Sequence, residues 1–100
     1  MKVRFTANSR RRLQQIRSYH TKNGNASKGR KISKAIFREA KKLEDHPYLG
    51  QEEEQLQELE QGHRYLLVDK LYKVIYRIIS PFIFITDIFD TRQDPDKMKG

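Results

Sequence analysis

Four basic residues carry the clearest chemical potential in this chain. Lys73, Arg77 and Arg92 lie within or at the end of the apolar stretch "YKVIYRIISPFIFITDIFDTRQDP", residues 72–95, and Arg64 lies in the strand before it. Cations in such a setting can neutralise phosphate or stabilise the charge that develops on a phosphorane. Metal-independent RNA cleavage needs that cation, a base for the ribose 2′-OH and an acid for the leaving oxygen. His63 and Asp90 are the nearest acid/base groups. Other chemistries lack their residues. His20, His46 and His63 have no metal-ligand spacing. Cysteine is absent, which excludes disulfides and thiolate sites. "SKGRK" has one glycine and follows no strand, so it does not read as a phosphate loop. No Ser/His/Asp set can be assembled. The chain therefore reads as using no metal and no cofactor.

The 100 residues suffice for one domain, 1–100, with a polar tail from about residue 93. The net charge of +8 is unevenly distributed. Residues 1–42 hold fourteen Lys and Arg against one acid, Glu39. Residues 43–62 hold seven acids and no base. A basic half attracts polyanions, either nucleic acid or an acidic protein segment. A solvated, solubilising surface is the plain alternative. The start "MKVRFTANSRRR" has no signal-peptide core, and charges interrupt every long apolar run, so a cytoplasmic protein without a membrane span is expected.

The elements that must position these residues follow from periodicity. "MKVRFT" alternates like a short strand. "NSRRRLQQIRSYHTKNG" reads as a helix capped by Asn8 or Ser9 and stopped at Gly24, with His20 on its surface. "ASKGRKISKAIFREAKKLEDHP" reads as a second helix with the stripe Ile32, Ala35, Ile36, Ala40 and Leu43, ended by Pro47. The acidic stretch after it reads as a loop with a helical turn. Three strands follow, "HRYLLV", "LYKVIYRII" and "FIFITDIFD", rich in β-branched and aromatic residues. The fold class is α+β, ordered β-α-α-β-β-β, with a helical hairpin packed on a small antiparallel sheet. The tail is expected to fray.

Two-residue turns at Asp69-Lys70 and Ser80-Pro81 would pair Val68 with Leu71, Leu66 with Lys73 and Arg77 with Phe84. Arg64, Lys73, Arg77, Asp90 and Arg92 would then share an open face. Tyr65, Leu67, Tyr72, Val74, Tyr76, Ile78, Ile83 and Ile85 would fill the face under the helices.

In order and spacing, "KVRFTANSRRRLQQI", "HPYLG", "GHRYLLVDKLYKVIYRI" and "ITDIFDTRQDP" resemble the RelE/ParE superfamily of bacterial type II toxins, from Lys2 to about Asp96. The resemblance implies a toxin neutralised by a cognate antitoxin. ParE-like members inhibit DNA gyrase; RelE-like members cleave ribosome-bound mRNA. On the RelE pattern Arg64, Lys73 and Arg92 fall at catalytic positions. Leu66, however, stands where a second strand cation is expected, and Met98 lies near a missing tyrosine. The ParE-like reading tolerates both departures and is preferred, with mRNA cleavage as the alternative. Arg10, Arg11, Arg12, Lys34, Arg38 and Arg77 are the expected contacts to target or antitoxin.

Overall fold

The computed structural model describes residues 1–100. Strand β1 (Lys2–Phe5) leads into helices α1 (Ala7–Lys22) and α2 (Ala26–Lys42). Strands β2 (Gln51–Glu52), β3 (Arg64–Val68), β4 (Tyr72–Ile79) and β5 (Phe82–Asp90) follow, with 3-10 turns at Glu54–Leu59 and Pro95–Lys97. The sheet order is β1-β5-β4-β3-β2. The helical hairpin on a sheet is as the periodicity predicts. The sheet is mixed, because β1 runs parallel to β5; the hairpin and meander between them supply the long crossover that parallel pairing needs.

Local signals start and stop the helices. Thr6, rather than Asn8 or Ser9, caps α1: its hydroxyl accepts the Ser9 N–H at 3.2 Å. Asn8 is drawn away and donates to the Thr86 carbonyl at 2.8 Å. Asn25 caps α2 by accepting from the Lys28 N–H. Gly24 makes the link with a φ of +73°, a conformation glycine adopts without strain. The helices approach closely at Gly29, where an added Cβ would lie 3.2 Å from the His20 Cβ. His20 is therefore buried between the helices and not on the surface as expected.

Two cores flank the sheet. Under the helices, Leu13, Ile32, Ile36 and Leu43 pack on Val74, Tyr76, Ile83 and Ile85. Each fully buried aliphatic side chain stabilises the fold by roughly 1.5–3 kcal/mol. On the other face a smaller cluster joins Leu56, Ile75, Phe89 and Met98, with Tyr65 against it. That face is thus partly roofed by the acidic turn and the tail, and is not fully open. The tail is docked: Met98 is only 7% exposed, and the Lys99 N–H donates to Asp87 Oδ2 at 2.9 Å.

Register reassigns the faces. Val68 pairs with Tyr72, so Leu71 belongs to the turn, and its N–H donates to the Val68 carbonyl. Asp69 and Lys70 both take left-handed φ, 55° and 56°. The extra residue shifts every β3–β4 pair by one. Leu67, not Leu66, faces Lys73; Tyr65 and Leu67 move to the outer face; Arg64 and Leu66 move to the helix side. The Ser80-Pro81 turn has the expected length, and Arg77 pairs with Phe84. A bulge then inserts Thr86, so Tyr76 pairs with Ile85 but Ile75 with Asp87. A bulge reverses side-chain parity beyond it. Ile88 and Asp90 consequently face the helices, while Asp87 and Phe89 face outward.

Candidate partner-binding site

The four cations do not share a surface. Arg64, opposite Tyr76 on the helix side, donates from Nη1 to the Gly50 carbonyl at 2.6 Å and stacks over Tyr48 at 5.1 Å. Lys73 is on the outer face, but its Nζ lies 2.8 Å from Glu53 Oε2 and 4.3 Å from the Tyr65 ring centroid. Arg77 is also on the outer face, beside His63. Burial, and secondarily the Arg77 charge, hold the His63 pKa below its ordinary value. Arg92 lies past the end of β5, on the helix side. Its Nε and Nη2 grip Asp90 Oδ1 and Oδ2 at 3.1 and 2.9 Å. The Arg92 side-chain hydrogen bond keeps Asp90 below the usual carboxylate range, and Asp90 in turn raises the Arg92 pKa. The expected face of Arg64, Lys73, Arg77, Asp90 and Arg92 is therefore divided by the register change and the bulge.

What the fold builds instead is a groove of about 330 Å³ between α1 and the end of β5. Its floor is Ile16, Tyr72 and Ile88, with the β5 chain passing through Phe89; its rim includes Arg12, Gln15, Tyr19, Asp90, Arg92 and Gln93. Burial first, then the neighbouring Asp90 charge, push the Tyr72 phenol above its ordinary pKa, so it remains a hydrogen-bond donor. Arg12 Nε stands 3.3 Å from Asp87 Oδ1. Asp87 is fully buried, and Asn8 Nδ2 donates to the same oxygen at 3.3 Å. One carboxylate thus ties α1, the β5 bulge and the tail together. An apolar floor with cations at the rim suits a segment that presents an apolar side chain beside a carboxylate. No cluster of three His, Asp or Glu side chains could hold a metal ion.

The other expected contacts occupy four places. Arg10 and Arg11 are exposed on α1, Lys34 and Arg38 are exposed on α2, Arg12 is at the groove, and Arg77 is across the sheet. The sequence reading missed Tyr19 and Tyr72 as groove residues. The available signal was Tyr19 following Ile16 at helical spacing.

A family profile described as "ParE toxin of type II toxin-antitoxin system, parDE" matches residues 3–95. The chain belongs to the ParE toxin family. A solved chain of the chromosomal ParDE TA system from P. aeruginosa is similar in fold, with a TM-score of 0.74 at 19% identity over 90% of this chain and 95% of that one. No match is found among curated protein sequences. In this ParE-family chain, the groove and the outer sheet face both set cations beside apolar side chains. No helix is long and apolar enough to cross a membrane.

Proposed function

We propose that this chain is the toxin of a type II pair, restrained by a cognate antitoxin, and that it inhibits DNA gyrase by binding it. The supporting observation is the separation of Arg64, Lys73 and Arg92. A nuclease needs its cation, base and acid around one phosphate, whereas here one cation holds a loop, one neutralises Glu53, and one grips Asp90. Arg92, at the groove rim, and Arg10, Arg11, Lys34 and Arg38, on the hairpin, then serve binding rather than catalysis. The antitoxin lays an amphipathic or extended acidic segment along the basic hairpin and into the groove. Both targets under consideration, gyrase and the ribosome, place the protein in the cytoplasm. The alternative, ribosome-dependent mRNA cleavage, would draw its acid or base from His63, which lies beside the Arg77 charge.

Purified protein added to gyrase, ATP and relaxed circular DNA separates the two readings when mRNA ends are mapped in a parallel translating extract. Loss of supercoiling or trapped DNA breaks, with no new mRNA ends, is expected. mRNA cuts that disappear in Arg92→Ala, with gyrase unaffected, would overturn the gyrase reading.

A further inference from the structure

We propose that the outer face of β1, β5 and β4 binds single-stranded nucleic acid. Strand pairing lines up Arg4, Phe84 and Arg77 across the sheet, and Lys2 beside Phe82 in the neighbouring row. Phe82 and Phe84 project from this face with ring centroids 5.8 Å apart, and the Arg4 guanidinium lies 5.3 Å over Phe82. Aromatic rings flanked by cations match the chemistry of an unpaired strand, whose bases stack and whose phosphates need neutralising. Arg4 already shows that Phe82 accepts a flat cationic partner.

The acidic turn and the tail cover Ile75 and Phe89 on this face. Strands β1, β4 and β5 themselves place one carboxylate on it, Asp87, which is buried and engaged by Arg12 and by the Lys99 N–H. Lys2, Arg4 and Arg77 form no ion pair with any carboxylate. A merely solubilising face would mix signs. Arg77 Nε is also buried without a hydrogen-bond partner. Buried donors of that kind are uncommon; the residue as a whole is half-buried, opposite Phe84, where the rest of its guanidinium can meet a phosphate oxygen laid across the sheet. A sheet face that presents aromatic rings favours unpaired strands, because a duplex hides its base faces.

This inference is independent of the gyrase reading, since its test contains no gyrase. Fluorescence anisotropy of the full chain is measured with labelled oligo-dT, oligo-U and a duplex of equal length at matched salt. Both single strands are expected to bind more tightly than the duplex; a preference between them identifies the strand type and still supports the site. Phe84→Leu is expected to weaken single-strand binding roughly tenfold, the worth of one lost stack, with duplex binding unchanged and Phe84→Tyr restoring it. Arg77→Gln is expected to lower the salt slope by about one phosphate contact. Lys28→Ala, at an exposed position on α2, leaves the single-strand preference intact. Thermal melts confirm that each variant is folded, and Phe82→Leu replaces Phe84→Leu if the latter unfolds. Equal binding of duplex and single strand, or folded Phe→Leu variants with unchanged affinity, would overturn the proposal.

Discussion

Replacing Lys73 by Met separates a structural cation from a catalytic one. Lys73 Nζ is 2.8 Å from Glu53 Oε2, and the Glu53 side chain is 3% exposed against 24% for Lys73. Removing the lysine leaves a buried carboxylate whose remaining partner is the Gln55 N–H at 3.2 Å. Breaking a buried pair from one side costs about 3–5 kcal/mol. The lysine end is partly solvated, which lowers the expectation to about 2–3 kcal/mol. In a domain of this size that corresponds to a fall in melting temperature of roughly 10–20 °C. Glu53→Gln leaves a lysine that can turn to water and is expected to cost about 1 kcal/mol. The double variant is expected to recover part of the loss, with a coupling of about 1–2 kcal/mol. Thermal and urea melts measure stability; growth arrest on expression without antitoxin measures toxicity. Toxicity is expected to follow stability and to return in the double variant. A Lys73→Met protein that melts like the original yet causes no arrest would refute this reasoning and place Lys73 at a target or a reacting phosphate.

Two further outcomes follow from the geometry. The Tyr76 hydroxyl donates to the Pro47 carbonyl at 2.8 Å and accepts the buried Gly50 N–H at 2.9 Å. Tyr76→Phe is expected to cost about 2–3 kcal/mol through the two orphaned backbone groups, seen as a lower urea midpoint and faster hydrogen exchange at Gly50. Unchanged exchange there would contradict the clamp. The His63 pKa lies below its ordinary 6.5, so on acidification the unfolded chain takes up this proton first. Stability from neutral His63 is complete above about 6.5 and is lost as pH falls through the folded value. NMR titration is expected to place the midpoint below 6.5, with Arg77→Met raising it only partway because burial is the larger cause. A midpoint at or above 6.5 would rule this out.

The secondary elements were legible because their signals are local. The spacing of Ile32, Ile36 and Leu43 marks a helix face, Gly24 marks a stop, and the β-branched runs mark β3, β4 and β5. Asp69-Lys70 was correctly a turn, yet nothing near it shows that Leu71 belongs there too. Sheet periodicity is two, so that one residue moved Tyr65 and Leu67 to the outer face and Arg64 to the helix side. Thr86 did the same for Asp90. The tail read as polar, and only Met98 hinted that it docks.

The amino-acid sequence determined the order of elements, the basic hairpin, the acidic segment, and the residue pattern that marks a ParE-family toxin. These are matters of composition, period and spacing along one chain. Tertiary structure alone decided which cations remain free. Lys73 is neutralised by a glutamate twenty residues away, Arg12 meets a carboxylate on β5, and Arg77 remains without an acidic partner. Those outcomes depend on register, a bulge and a docked tail, each settled by packing between distant segments.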